Sequence, residues 1–219
     1  MLIAGIDEAG RGPAIGPMVL AIALIDADYE ESLREMGAKD SKEVPVSERE
    51  RLYPLLQKQL HHHATISLFP GEMDILMDRL SLNEIEAMKA GHLLNNLPDK
   101  PDLVYVDSPD PLASHFARRI RSYLSYPTKI IAEHKADVNY PIVSAASILA
   151  KVERDAAIKV LQEEFHSFGD IGSGYPHDAR TIKFLQEYLA RHQSLPACAR
   201  QKWGTNVRLV DALFQKKLF

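Results

Sequence analysis

Residues 5–13 read Gly5-Ile6-Asp7-Glu8-Ala9-Gly10-Arg11-Gly12-Pro13, and they decide how the rest of the chain is interpreted. An apolar segment that begins at residue 2 ends here in two adjacent carboxylates, Asp7 and Glu8. A turn with an arginine between two glycines follows directly. Carboxylates bind cations, whereas glycine amides and arginine bind anions. Both kinds of group in one stretch predict a metal-assisted reaction on a phosphate.

Length and composition restrict the class of protein. The chain has 219 residues, 46% of them hydrophobic and 26% charged, which is typical of one globular domain with room for an appendage. Its single cysteine, Cys198, excludes a disulfide framework and a thiolate metal cluster. The sequence contains neither an apolar run of ~18 residues nor a signal-peptide pattern, so we expect a cytoplasmic protein.

Charge is distributed unevenly along the chain. The formal net charge is −4, yet residues 178–219 contain eight Lys/Arg and three Asp/Glu, which gives +5 there and −9 elsewhere. A basic C-terminal segment beside an acidic body suits a protein that clamps a polyanion near a carboxylate site. An ordinary solvated helical surface would give the same pattern.

Hydrophobic periodicity predicts an α/β fold. Two apolar runs, residues 2–9 and 17–26, are separated by a Gly/Pro-rich turn and predict a β-hairpin. Ser47 and Glu50 have the spacing of a capping box at a helix start. The further strands are expected at 61–69, 103–107 and 129–133, and the helices near 28–36, 47–60, 71–79, 82–97, 111–124, 141–167, 178–192 and 206–217.

The order of these elements predicts antiparallel pairing among the first three strands and parallel pairing of the last two. The strand pattern stops near residues 175–180. We therefore predict a catalytic domain over residues 1–177 and a C-terminal helical substrate-binding region over residues 178–219.

Acidic residues follow several of the predicted strands. Asp7 and Glu8 end the first strand, Asp107 ends the fourth, and Asp137 follows the fifth. Carboxylates at the ends of strands in one sheet can converge at one edge, where they would repel each other without a cation. All-oxygen ligands favour Mg²⁺ or Mn²⁺, and two such ions ~3.5–4 Å apart can hydrolyse a phosphodiester. We expect Asp7 to bridge the ions, and Glu8 to need a twist or bulge to join it.

The longest predicted helix carries a polar stripe. Ser144, Ser147 and Lys151 are spaced so that they share one face, which begins shortly after Asp137. This face could support the acidic site, or it could be a solvated stripe on an alanine-rich helix.

Several motifs together resemble one enzyme family. The motifs are GIDEAGRGPAIGPM, KDSK, YVDSPD, HKADVNYPIVSAASILAKVERD and GSGYPHD, in this order from residue 5 onwards. They resemble ribonuclease HII, a type 2 ribonuclease H, in its archaeal-type form. The resemblance implies a ribonuclease H-like five-stranded mixed sheet flanked by helices, with a C-terminal helical extension. It also implies cleavage of RNA in RNA–DNA hybrids and incision 5′ of ribonucleotides embedded in duplex DNA, with 3′-hydroxyl and 5′-phosphate products.

The same resemblance implies a role for particular residues. Four catalytic acids that hold Mg²⁺ or Mn²⁺ fall on Asp7, Glu8, Asp107 and Asp137. A turn that senses the 2′-hydroxyl falls on Gly10, Arg11 and Gly12, and a tyrosine that stacks on the substrate sugar falls on Tyr175. Ser41, Lys42, Ser144, Ser147 and Lys151 would contact phosphate or support the site. Near the C-terminus this chain departs from the family, with Gln201-Lys202-Trp203 in place of a basic-Ser-Trp run.

Other functions fit parts of the pattern. A resolvase-type nuclease would cut all-DNA junctions. A catalytically silent nucleic-acid binder would not need the set of acids, and a small-molecule phosphatase would not need the basic segment. We expect RNA–DNA hybrid and ribonucleotide-containing duplex DNA as substrates, a monomer, and no membrane partner. The sequence leaves a sliding-clamp partner open. The hydrophobic C-terminal end, residues 217–219, could be a peptide motif, or it could pack or be disordered.

Overall fold

The structure is a computed structural model that describes residues 1–38 and 44–215, with side chains described to residue 213. Two of the predicted substrate contacts, Ser41 and Lys42, lie outside the described residues, as does the hydrophobic C-terminal end.

Five strands form one mixed sheet in the order β3-β2-β1-β4-β5. β1 pairs antiparallel with β2 and parallel with β4, and β4 pairs parallel with β5. This arrangement confirms the predicted hairpin and the predicted parallel pairing of the last two strands. The strands are β1 (Leu2–Ala9), β2 (Met18–Asp26), β3 (His62–Leu68), β4 (Leu103–Asp107) and β5 (Lys129–Glu133).

Helices occupy most of the remaining described residues and lie close to the predicted positions, except for the short helix α6, which was not predicted. They are α1 (Glu30–Met36), α2 (Val46–Gln59), α3 (Pro70–Leu76), α4 (Leu82–Asn95), α5 (Ala113–Ser122), α6 (Ala136–Asn139), α7 (Pro141–Glu164), α8 (Ala179–His192) and α9 (Gly204–Gln215).

The helices α4 and α2 differ in how their first turns are capped. Ser81 caps α4, since its hydroxyl accepts from the Glu84 amide at 3.3 Å. The capping box at Ser47 is wrong, because α2 begins at Val46 with Pro45 at the N-cap and no side-chain cap bond. The helix therefore starts one residue before Ser47, which lies inside the first turn and not at the N-cap.

The described chain forms two compact units. The first consists of Met1–Ala9, Val19–Ile66 and Leu80–Glu153, and the second of Gly10–Met18, Ser67–Arg79 and Arg154–Phe219. These units interleave along the sequence. The predicted division between residues 177 and 178 stays a prediction.

A close approach between β1 and α7 shapes the core of the first unit. Ile142, Val143 and Ala146 of α7 are fully buried in a cluster with residues of β1 and β2. A Cβ atom on Gly5 would lie 2.4 Å from the carbonyl carbon of Ile142, closer than real Cβ contacts. Glycine at position 5 therefore lets the helix backbone pass directly over the strand that carries Asp7.

The second unit has its own apolar core around the loop that follows β1. Ala14 and Ile15 pack with Phe184 and Leu185 of α8 and with Ala199. Ile15 also forms an isolated antiparallel bridge with Ala199. The C-terminal segment is thus built into this loop rather than appended to it.

Candidate active site

Two of the predicted acids lie where parallel strands end. Asp107 is the last residue of β4, and Asp7 follows the last β1–β4 register pair, Ile6 with Val106. Their strand ends are therefore neighbours at one edge of the sheet, as predicted. Asp137 lies in the short helix α6 that follows β5, and it is 4% exposed.

The carboxyl of Asp7 is 7% exposed and electrostatically crowded. Burial raises the pKa of Asp7 well above its usual value, and repulsion from Glu8 and Asp107 raises it further. Hydrogen bonds from the Ser147 hydroxyl and from the Glu8 amide, at 2.8 Å to Oδ1, oppose this rise in pKa. Asp7 is consequently an oriented carboxyl that is costly to ionise without a nearby cation.

Asp107 ties its strand to the segment that holds Asp137. The Ala136 amide donates to Oδ1 of Asp107 at 2.8 Å. Within residues 1–38 and 44–215, no three acidic, histidine or cysteine side chains are arranged as a ready-made metal cluster. The donor chemistry still fits a hard divalent cation, because the groups are carboxylates whose mutual repulsion a cation would relieve.

Glu8 does not acquire the predicted twist or bulge. The β1–β2 register runs without interruption through Glu8 with Leu20 to Ala9 with Val19. Successive side chains of a regular strand point to opposite faces, so Glu8 and Asp7 leave β1 on different sides. Glu8 influences Asp7 through its charge, and its role as a metal ligand stays a prediction.

The polar stripe on α7 is not a solvated surface. Ser144 and Ser147 are fully buried, and Lys151 is half-buried. Because Ser147 hydrogen-bonds Asp7, at least this serine supports the acid directly. The predicted contacts of Ser144 and Lys151 with substrate stay predictions.

The turn after β1 needs glycine at some positions for backbone reasons. Gly10 and Gly16 have φ values of +78° and +81°, and a Cβ on Gly10 would lie 2.7 Å from the Pro17 carbonyl oxygen. At Gly12 the reason is different, since a Cβ there would meet the Tyr175 ring at an ordinary 3.8 Å. Gly12 is exposed, and because it has no side chain the surface next to the Tyr175 ring is accessible.

Tyr175 is not a core aromatic. It is half-buried, and the Arg154 guanidinium lies 5.3 Å from its ring centroid. Arg154 itself is 6% exposed and donates to the Ser173 carbonyl at 2.6 Å. The ring is therefore held in place by a buried cation while part of it stays accessible, which suits the predicted stacking on a sugar.

Comparison with known proteins settles the family. The family model for ribonuclease HII matches residues 4–206. The ribonuclease HII of Pyrococcus furiosus is 45% identical over 217 residues, 99% of this chain and 95% of that protein. This chain belongs to the ribonuclease HII family.

Solved structures agree with this assignment. The ribonuclease H2 of Pyrococcus horikoshii matches with a TM-score of 0.91 and 43% identity, covering 98% of this chain and 100% of that chain. The ribonuclease HII of Archaeoglobus fulgidus, solved in complex with PCNA, matches with a TM-score of 0.83 and 38% identity over 93% of this chain and 95% of that chain. The expected ribonuclease H-like fold is confirmed.

Membership in the ribonuclease HII family makes this chain a ribonuclease H, an endonuclease that acts on RNA paired with DNA. Nothing in the described helices has the length and apolar character that a membrane crossing requires.

One important residue of this ribonuclease H was not identified from the sequence. Arg200 was counted among the basic residues of a solvated clamp, but it is fully buried, so that interpretation of Arg200 is wrong. The available signal was its position in the segment that resembles the family pattern, three residues before Trp203. Charge counting cannot separate a buried arginine from an exposed one.

Other residues of the basic segment are paired with acids. Arg180 bridges Asp170 at 2.9 Å and Asp178 at 2.8 Å, and Lys202 bridges Asp78. These bridges leave less positive charge for a phosphate backbone than the count of +5 implied. The clamping role of residues 178–219 stays a prediction.

Proposed function

We propose that this ribonuclease cuts duplex DNA on the 5′ side of an embedded ribonucleotide and cuts the RNA strand of RNA–DNA hybrids. The products carry 3′-hydroxyl and 5′-phosphate ends. The observation that carries the proposal is the buried Asp7 carboxyl at the ends of parallel strands, crowded by Glu8 and Asp107 and oriented by Ser147. Membership in the ribonuclease HII family supports the substrate class.

In this proposal Asp7, Glu8, Asp107 and Asp137 hold two divalent cations, Mg²⁺ or Mn²⁺. When bound, such ions activate water and stabilise the leaving oxygen of a phosphodiester. The contribution of the chain is orientation. The Ser147 hydroxyl and the Glu8 amide fix the Asp7 carboxylate, and the Ala136 amide fixes that of Asp107.

In this proposal the residues that select a ribonucleotide are Gly10, Arg11, Gly12 and Tyr175. Only RNA carries a 2′-hydroxyl, and closely approaching backbone amides can hydrogen-bond it. The partly exposed Tyr175 ring, held beside Arg154, is suited to stack on the neighbouring sugar.

The test uses a DNA duplex with one ribonucleotide, incubated with Mg²⁺, with Mn²⁺ or with a chelator. We expect incision on the 5′ side of the ribonucleotide that stops in the chelator. An all-DNA duplex and an all-DNA four-way junction serve as controls. Cleavage of the junction but not of the ribonucleotide duplex would instead indicate a resolvase-type enzyme.

Asp7→Asn separates catalysis from binding. The amide keeps the size of the side chain and an acceptor oxygen for Ser147, but it loses the charge that a metal ion needs. We expect loss of incision with hybrid affinity largely retained. Incision by the variant at a near-normal rate in Mg²⁺ would remove Asp7 from the proposed metal site.

We also propose that the enzyme works as a monomer and can associate with a sliding clamp. The complex of the Archaeoglobus relative with PCNA supports the second point. Co-migration with a purified clamp in size-exclusion chromatography, compared with the enzyme alone, tests both points.

A further inference from the structure

A single buried guanidinium, that of Arg200, hydrogen-bonds the backbone carbonyls of the turn that follows β1. Arg200 donates from Nε to the Gly16 carbonyl at 3.0 Å and from Nη1 to the Arg11 carbonyl at 2.9 Å. Its Nη2 donates to the Gly10 carbonyl. Arg200 therefore connects the beginning and the end of a turn whose terminal glycines, Gly10 and Gly16, both have positive φ.

Residues near Arg200 extend this contact. Trp203 lies over the Arg200 guanidinium at 4.7 Å from the ring centroid and donates from Nε1 to the Gly12 carbonyl at 3.2 Å. Asn206 donates from Nδ2 to the carbonyls of Ala14 and Arg200, both at 2.8 Å. Three side chains from residues 200–206 thus hold five carbonyl groups of the turn.

Fixing these carbonyls also fixes amides. In a trans peptide the carbonyl and the next N–H lie in one plane and point in opposite directions. When Arg200 holds the Gly10 and Arg11 carbonyls, it directs the Arg11 and Gly12 amides away from its guanidinium. These two amides belong to the turn to which the proposed function assigns recognition of the 2′-hydroxyl.

Two buried arginines, Arg154 and Arg200, lie next to this turn. Arg154 is also buried, and a Cβ on Gly10 would lie 3.1 Å from its Cγ. Burial, followed by repulsion from Arg154, lowers the pKa of Arg200 to about 9. Two like charges buried together are costly, and backbone carbonyls are weak compensation for them. A position that needed only apolar packing would be more stable with methionine or leucine.

We propose that Arg200 is a positioning residue that holds the turn in its ribose-reading conformation before substrate binds. The proposal rests on the proposed function of Gly10, Arg11 and Gly12. An arginine suits this task because its planar fork presents several donors in fixed directions. A lysine at the same place would keep the charge but could not hold three carbonyls at the same geometry.

The experiment compares Arg200→Lys with the wild-type enzyme on two duplexes, one with a single ribonucleotide and one of DNA only. Binding is measured in the presence of chelator, and steady-state kinetics in Mg²⁺. We expect Arg200→Lys to lose about 10- to 100-fold in kcat/KM on the ribonucleotide duplex, mainly through KM. Its affinity for the all-DNA duplex should change by less than about twofold, so the ratio of the two affinities falls.

Arg208→Met is the matched control, because Arg208 is an exposed arginine in the same segment. If Arg208 contributes only positive charge, its loss weakens both duplexes alike and leaves the ratio unchanged. Trp203→Phe keeps an aromatic ring over Arg200 but loses the donor to Gly12. It tests the same support by a milder change if Arg200→Lys does not fold, and we expect a smaller shift of the ratio in the same direction.

The possible results distinguish failure of the proposed function from failure of the positioning role. A wild-type enzyme that binds and cleaves the ribonucleotide duplex no better than the all-DNA duplex overturns the proposed function. If Arg200→Lys and Trp203→Phe keep the full wild-type ratio of affinities and the wild-type kcat/KM, the positioning role alone is overturned. A parallel loss of affinity for both duplexes, together with a lower melting temperature, shows that Arg200 only stabilises the fold and likewise overturns the positioning role.

Discussion

Replacement of Gly5 by alanine tests the contact that brings α7 against the strand carrying Asp7. The new Cβ would lie 2.4 Å from both the carbonyl carbon and the carbonyl oxygen of Ile142, and 2.6 Å from the Val143 nitrogen. Ordinary contacts begin near 3.4 Å, so strand and helix must separate by about 1 Å. All three atoms belong to backbone, and no side chain can rotate away to relieve the overlap.

The separation reaches the site because the two elements run alongside each other. Asp7 lies two residues beyond Gly5, roughly 6.6 Å along the strand and on the same face. Ser147 lies five residues beyond Ile142, roughly 7.5 Å along the helix. Separation of the strand and the helix therefore stretches or breaks the Ser147–Asp7 hydrogen bond. We expect Gly5→Ala to lower the free energy of unfolding by about 1–3 kcal/mol and kcat by about 100-fold.

Urea denaturation measures the first effect, and single-turnover incision of the ribonucleotide duplex measures the second. Gly71→Ala is the control, since a Cβ on Gly71 in α3 has nothing within 4 Å. We expect this control to leave kcat unchanged and to stabilise the protein by up to about 1 kcal/mol, because alanine favours helix over glycine. A Gly5→Ala enzyme with normal stability and kcat within twofold of wild type would refute the reasoning.

Three further predictions concern charge and hydrogen bonding. In chelator, Asp7→Asn should raise the free energy of unfolding at pH 7 by about 1–3 kcal/mol. The pKa of Asp7 is raised in the folded protein, so the native carboxyl destabilises the protein as pH rises above 3.8, the usual pKa of an aspartate, and the gain in calorimetry should vanish below that pH. Ser147→Ala should lower kcat about tenfold at saturating metal and substrate, because the Asp7 carboxylate loses an orienting donor, and an unchanged kcat would contradict this. Arg119→Met should cost about 1–3 kcal/mol in urea denaturation with KM unchanged, because Arg119 bridges the Asp110 carboxylate at 3.0 Å and also Glu84, and a shifted KM would contradict a purely structural role.

Sequence reasoning succeeded where the signal is local. The apolar runs that end in Asp7 and Asp107 predicted two strands, and parallel pairing then places their ends at one edge of the sheet. The helix predicted from residue 141 does begin at Pro141, and proline suits a first helical position because no amide hydrogen bond is needed there. Each inference used residues that lie close together in the chain.

Sequence reasoning failed where the residue that decides the local structure is distant in the chain, or where a neighbouring residue changes the expected helix start. Arg200 is buried because its acceptors are carbonyls about 190 residues earlier, and no periodicity in residues 178–219 encodes that contact. Ser47 was assigned as a cap because the spacing to Glu50 fits, but the preceding Pro45 had already started the helix. For the same reason, truncation before residue 195 would remove the support of the turn after β1, and so could not isolate a binding clamp.

The buried charges explain why sequence patterns misjudged Arg200. Asp7 and Asp137 are buried acidic residues of the first unit, whereas Arg154 and Arg200 are buried basic residues of the second. A buried charge costs several kcal/mol unless it is compensated, and apolar residues of similar volume would be more stable there. Sequence patterns assume that charge lies in solvent, so they misplace the residues for which function overrides stability. In the proposed mechanism bound cations would compensate the acids, whereas Arg200 is compensated by the carbonyls of the turn after β1.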